Sequence, residues 1–452
     1  LKYKELHFSP EMCPDLNNKL QSGQEDHGIL HPQWFLEPGK KQKKYQLSDT
    51  DNNFWRNQQF RAYLGATAFT GTALSMQQLL ISWLLVGILL LPADQVGLIQ
   101  GMIGIPGIVL MLWGGARADK TDARDLLIRV YGIAWLIPLA LYACIDSGLL
   151  NIWTVSLFGL AMSTAFAFSS PAQQAILNRV AGEDVQRAVT VATAIGFVVQ
   201  MGGLALAGQM EIVGIDKVLM VQAASLILGA LAVRRIAPRE SGYESSDESI
   251  WQSVLGGLRA TYSNRIIFQT MLINFVSSIF NFGAFSMVVP FIVKRIYEGD
   301  AVSLATILIV FYAGATVSNM IQFKIMPIAR PGLWFLLMQL TRVLILGFLW
   351  FTPDWWLLMV VLFFWGTNMG VTSTLSRAIV QESAEQQHLA RILSVFSLGL
   401  LGAMPLGALV LGFIIEAFGT MNGLVPAMIT SVVLCAYGFL FTDVWRYRSP
   451  GF

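Results

Sequence analysis

Gln77, Gln78, Ser163, Thr164, Ser277, Ser278, Asn281, Thr367 and Asn368 stand in the middle of long apolar stretches. Amides and hydroxyls donate and accept hydrogen bonds but hold no charge, so the chemistry they suit is reversible recognition of a solute. Their placement follows a rule. Gln77 and Asn281 are 204 residues apart, and so are Thr164 and Asn368. Gln77, Gln78, Thr164, Ser277, Asn281 and Asn368 are therefore candidate cavity-lining residues, with hydrogen bonding between neighbouring helices as the alternative use of the same side chains.

Arg342 is the one ionisable residue near the middle of an apolar stretch, too deep to reach either headgroup layer easily. It is expected to face a cavity or a carbonyl-rich packing site. No Asp or Glu occupies such a central position. Glu211 and Glu416 fall near the outer ends of their stretches and Asp443 near the inner end of the last. If a proton drives the protein, Glu211, Glu416 or Asp443 must carry it, or its coupling is unusual. Signatures of covalent or redox chemistry are missing. There is no G-x-x-x-x-G-K-[ST] phosphate loop. His7, His27, His31 and His388 form no metal-ligand set with Cys13, Cys144 and Cys435. No cofactor or metal is expected.

The elements that must hold these residues follow from composition. Of 452 residues 55% are hydrophobic and only 13% charged, with a mean hydropathy of +0.58. A soluble domain carries about 25% charged residues, so the ions needed for a water-facing surface are lacking. Ala93–Leu112 has no Lys or Arg and Ala301–Phe323 has no charge at all. Continuous rather than alternating runs of this length predict membrane-spanning helices. Twelve are expected, centred near residues 76, 106, 137, 161, 199, 226, 279, 311, 341, 366, 403 and 432. The net charge of +2 gives no global attraction to nucleic acid.

Residues 1–56 read as a polar, mostly disordered cytoplasmic tail, with Lys40, Lys41, Lys43 and Lys44 as its basic cluster. Residues 57–236 form a first six-helix half and 264–446 a second, with 447–452 as the C-terminal end. Between the halves, 237–263 is expected to be a linker with a surface helix, because Ile250, Val254, Leu255 and Leu258 recur at helical spacing. With both termini placed in the cytoplasm, Lys217, Lys294 and Arg295 fall in outer loops and Arg342 mid-span, and the other 26 of the 30 Lys and Arg fall on the cytoplasmic side or at cytoplasmic helix ends. That bias satisfies the positive-inside rule.

The two halves repeat. Gly203-x4-Gly208-x2-Glu211-x2-Gly214 recurs as Gly407-x4-Gly412-x3-Glu416-x2-Gly419, and Gln174–Arg179 parallels Arg377–Glu382. Two parallel copies of six spans, with a site near the bilayer midplane between them, is a design of secondary transporters. Small residues at three- or four-residue spacing let helix backbones approach closely.

Gly115-x3-Asp119-Lys120-x-Asp122-x-Arg124 resembles the signature between helices two and three of the major facilitator superfamily, with Asp122 and Ala123 as departures from its pattern. Three further stretches resemble the drug-efflux branch that includes enterobactin and macrolide exporters. They are Ser170–Leu177, Ala390–Ser394 and Gly402-x2-Pro405-Leu406-Gly407. The helix-five antiporter pattern lacks its proline over Val198–Gly203, and no acid lies between Asp300 and Asp354 near the corresponding second-half loop. The resemblance covers about residues 57–446. It implies alternating access, with Gly115, Asp119, Lys120 and Arg124 as a cytoplasmic gate. Asp119 would dock near the N-terminus of helix eleven, and Lys120 and Arg124 would pair with acids such as Glu382 and Glu385.

The combined expectation is an all-α membrane protein of twelve helices in two pseudo-symmetric halves. It would be a secondary transporter, not an enzyme, exporting a siderophore or amphipathic drug-like molecule. A lipid or lysolipid translocator, or a non-transporting assembly factor or receptor, is the alternative. Its expected setting is the bacterial inner membrane, as a monomer with the bilayer and a small-molecule substrate as partners.

Overall fold

The computed structural model describes the backbone of residues 57–120, 122–181, 185–238, 250–326, 328–385 and 388–450. Within these segments it describes side chains except at 111–120, 185–187, 189–190, 250–254 and 390. The polar tail, with its lysine cluster, and residues 239–249 of the linker lie outside.

Among the described residues, twelve helices are long and apolar enough to cross a bilayer. Spans one to six are Gln58–Ile88, Ala93–Leu110, Ala123–Asp146, Ile152–Ala181, Val191–Val213 and Ile215–Arg234. Spans seven to twelve are Arg265–Ile296, Ala301–Ile325, Pro331–Trp350, Trp355–Ser383, Arg391–Phe418 and Met421–Phe441. The end bearing Lys294 and Arg295 is called outer here, following the charge bias. Large apolar side chains such as Trp153, Leu344 and Ile429 are exposed on the helix surfaces. That is how a chain solvated by lipid must look, since hydrocarbon outside competes with hydrocarbon inside.

The internal repeat becomes a repeat of packing. Asn57 and Asn264 begin spans one and seven with the same cap: each side-chain carbonyl accepts from two backbone N–H groups of the first turn. Each amide then reaches across to the inner end of another helix, Asn57 Nδ2 to Val180 O and Asn264 Nδ2 to Ser383 O, at 3.4 and 3.0 Å. Gly203 presses on span one at Thr72 and Ser75, and Gly407 presses on span seven at Ile279 and Gly283. Gly214 and Gly419 end the outer turns of spans five and eleven at φ +100° and +93°, a region that only glycine enters without penalty.

Between the halves, span two lies along span eleven and span five along span eight. Small residues make the approach close. A methyl on Gly412 would stand 2.6 Å from Ala93 O and 2.9 Å from the Gly97 Cα. Gly208 meets Ala305 in the related contact.

Two local expectations change. The stretch containing Gly115 and Asp119, expected as a loop, continues the helix of span two to Lys120. Lys294 and Arg295, expected in an outer loop, form the last turn of span seven. That turn is π-helical over Ile292–Ile296, like Leu84–Ile88 in span one. The linker helix runs from Ile250 to Ser263, but Leu255 and Leu258 are exposed and Gly257 carries its packed side, close to Arg391 O and Val395. Leu255 and Leu258 thus point away from the packed side.

Candidate functional site

A cavity of about 240 Å³ opens between the halves. Spans one, two and four bring Gln77, Gln78, Ser82, Gln100 and Ser163 to it; spans seven, eight and eleven bring Phe285, Pro290, Leu308, Met404 and Pro405. The first-half wall sets these amides and hydroxyls beside Ile81 and Ile103, and the second-half wall is apolar apart from Ser286. Gln77 is partly engaged: its Oε1 accepts from Gln222 Nε2 at 3.0 Å, and that same amide also donates to Ala73 O. Gln78 bridges the halves, donating to the Tyr312 hydroxyl at 3.2 Å, while its Oε1 accepts from Gln200. The Ser82 hydroxyl is buried without a protein partner.

Phe285 separates this cavity from a smaller one of about 50 Å³ inside the second half. The π-helical turn Ala284–Val288 places it there, and such turns recur at functional sites because one extra residue re-aims the side chains. Phe285 stacks on Phe311 at 3.9 Å between ring centroids and meets Trp365 edge-on. Ser277, Asn281, Arg342 and Thr372 line the smaller space.

Among the described residues, Arg342 is buried and held by neutral oxygens alone. Its Nε donates to Asn368 Oδ1 at 3.0 Å, its Nη1 to Ser277 Oγ at 2.6 Å and Gln339 Oε1 at 2.9 Å, and its Nη2 to Thr372 Oγ1 at 3.3 Å. Asn368 is fixed in turn, donating to Met338 O and Thr341 Oγ1.

The outer ends carry two carboxylates in related positions. The Ala93 N–H, at the start of span two, donates to Glu416 Oε2 of span eleven at 2.9 Å. The Ala301 N–H, at the start of span eight, donates to Glu211 Oε2 at 3.5 Å. Each acid thus meets the positive end of a helix from the opposite half. Trp83 Nε1 holds Glu211 at 2.6 Å, and Lys294 of the second half lies over the Trp83 ring, 5.3 Å from its centroid. Arg295 pairs with Glu416 at 3.6 Å.

At the inner end, Arg124 closes the C-terminus of span six rather than reaching Glu382 or Glu385. Nε donates to Ile236 O at 2.6 Å, Nη2 to Arg234 O at 3.1 Å, and Nη1 meets Asp125 at 2.8 Å. A guanidinium fits there because the last carbonyls of a helix have no partners of their own. Asp122 caps span three, accepting from the Arg124 N–H, and receives Arg179 at 3.4 Å. The Tyr447 hydroxyl bonds Glu382. The side chains of Gly115, Asp119 and Lys120 lie outside the described residues.

The structure therefore brings Gln77 and Gln78 to one cavity and Ser277, Asn281 and Arg342 to another. Ser163, not Thr164, lines the first; the Thr164 hydroxyl turns back to Leu160 O of its own helix. Asn368, expected as cavity lining, is instead the anchor of Arg342. Asp443 sits past the last span and pairs with exposed Arg265 at 3.5 Å, away from both cavities. Gln339, Thr372, Ser82 and Gln100 escaped sequence reasoning. Gln339 had a signal, since it precedes Arg342 by three residues and shares its helix face.

A family profile described as transmembrane secretion effector matches residues 53–445. No curated protein matches the sequence. Among solved structures, a point mutant of the nucleoside transporter NupG is similar with a TM-score of 0.69 at 14% identity, covering 84% of this chain and 99% of its own. A bacterial homolog of the human lysosomal transporter Spinster, inward-facing and unoccupied, reaches 0.65 at 13% identity, covering 86% and 98%.

Proposed function

The chain belongs to the transmembrane secretion effector family of major facilitator transporters, and from that premise we propose that it exports an amphipathic small molecule by alternating access. A siderophore or drug-like compound is the intended class. The carrying observation is the cavity between the halves, with its amides and hydroxyls gathered beside Ile81 and Ile103 on one side and a mainly apolar wall of Phe285, Pro290, Leu308, Met404 and Pro405 on the other. A solute with a polar and an apolar face satisfies both walls at once, whereas a wholly polar solute would leave its donors unpaired against the second.

The outer carboxylates supply the conformational half of the reading. Glu416 on Ala93 and Glu211 on Ala301 tie opposite halves together at the outer end of the transport path. Rocking the halves apart at that end breaks both contacts and opens the cavity outward. At the other end, Asp119 is the proposed counter-latch of the cytoplasmic gate. The membrane is proposed to be the bacterial inner membrane, with both termini in the cytoplasm.

The test is flux in proteoliposomes of the purified full chain under an imposed proton gradient. Three solute classes are compared: an amphipathic dye in neutral and carboxylate forms, a nucleoside and a lysophospholipid. Dye flux above that of protein-free vesicles supports the proposal. Flux of the nucleoside or the lysophospholipid alone replaces the substrate class, and background flux of all three, from correctly folded protein, overturns the transport reading for this chain.

A further inference from the structure

We propose that the pocket around Arg342 is an anion subsite, and that the transported amphipath carries a carboxylate seated there. The inference rests on the transport reading and adds the charge of the substrate.

Arg342 is 4% exposed and stands at the middle of span nine. Among the described residues no carboxylate pairs with it; the ion pairs there involve other residues. A buried charge without a counter-charge is strongly unfavourable even when its hydrogen bonds are made, because neutral dipoles replace only part of the lost hydration. Four neutral oxygens hold the guanidinium, and they leave one of the two N–H groups on Nη2 without a protein acceptor. Arg342 lines the small cavity, whose volume of about 50 Å³ leaves room for a carboxylate beside the guanidinium. The guanidinium is also fixed in advance. Asn368 cannot turn its oxygen away without losing Met338 O and Thr341, so an arriving anion need not order the receptor.

The repeat argues that this charge is not a packing device. At the 204-residue offset the first half has Pro138 in place of Arg342. The buried polar contacts of that half are met by neutral groups, Gln222 with Gln77 and Gln173 with Tyr131. The same fold is therefore built once without the cation.

Position gives the rest of the ligand. Phe285 borders both cavities, so a carboxylate at Arg342 leaves its apolar body to run past Phe285, Phe311 and Trp365 toward the cavity between the halves. Asn281 Oδ1 is buried there without a partner, an acceptor suited to a donor on the ligand beside the carboxylate.

The experiment reads binding rather than flux, so its failure is separate from failure of the transport reading. Thermal unfolding of the purified full chain is followed with 1-naphthoate and with its neutral isostere 1-naphthamide. Runs in chloride are repeated with chloride replaced by the bulkier isethionate. Wild type is expected to bind naphthoate at least tenfold more tightly than naphthamide. Arg342→Gln should bind the two alike. If that variant does not fold, Arg342→Lys keeps the charge but not the fork, and should lower the preference severalfold. The proposal is overturned if wild type shows no preference, if a folded variant keeps the full preference, or if chloride alone gives the whole stabilisation and naphthoate adds nothing. A chain that moves neutral amphipaths yet ignores naphthoate loses the anion site and keeps its transport reading.

Discussion

Removing the Glu416 carboxylate should unlatch the outer end, and the size of the effect can be worked from the contact. The carboxylate accepts the Ala93 N–H at 2.9 Å, within normal hydrogen-bond range, and sits on the first turn of span two. Its side chain is 42% exposed, so water screens much of the charge–dipole attraction, leaving about 1 kcal/mol. The partner ion, Arg295, belongs to the same half and moves with Glu416. That pair survives in both states and contributes nothing to their difference. Losing about 1 kcal/mol from the closed state alone raises the outward-open population about fivefold. Glu211 is different. Its contact with Ala301 is stretched to 3.5 Å, beyond the usual range, and its short bond to Trp83 lies within one half. Glu211→Ala should therefore shift the population less than about twofold. The assay is the labelling rate of Ser82→Cys by a membrane-impermeant maleimide from outside, in a chain with Cys13, Cys144 and Cys435 replaced. Ser82 lines the cavity and its hydroxyl makes no protein hydrogen bond, so the reporter itself costs little. Glu416→Ala should label about fivefold faster than wild type, with Arg295→Gln close to wild type. A Glu416→Ala rate equal to wild type, or a larger effect from Glu211→Ala, would refute the latch as reasoned.

Gly412→Ala and Gly407→Ala should part company: the first wedges the halves apart at Ala93 and Gly97, the second wedges span seven from span eleven within one half. Gly412→Ala is expected to speed Ser82→Cys labelling with little change in thermal stability, and Gly407→Ala to lower the unfolding temperature instead. Asp122→Ala removes the cap of span three and the acceptor for Arg179; it should cost about 1 kcal/mol, read as an earlier unfolding midpoint. Asp119→Asn should cut transport sharply while membrane insertion stays normal, and wild-type turnover in that variant would remove Asp119 from the gate.

The twelve spans were legible because a bilayer demands long uncharged runs and the polar breaks between them are conspicuous. The internal repeat was equally plain in Gly203, Gly208, Glu211 and Gly214 against their second-half counterparts. Their uses were not. Gly203 and Gly407 pack inside the halves, whereas Gly208 and Gly412 pack between them, although all four are glycines five residues from a neighbour. Which face of a helix meets which neighbour depends on crossing geometry that spacing alone does not encode.

The polar residues show the same division. Sequence alone determined that Gln77, Asn281, Asn368 and Arg342 lie deep in a membrane, since hydrophobic flanks fix depth one helix at a time. Tertiary structure decided that Gln77 faces the cavity between the halves, that Asn368 steadies Arg342, and that Glu211 and Glu416 cross to the opposite half. Depth is set locally by the transfer energy of each segment, but partnership is set by which helices touch, and those contacts join residues as far apart as Ala93 and Glu416.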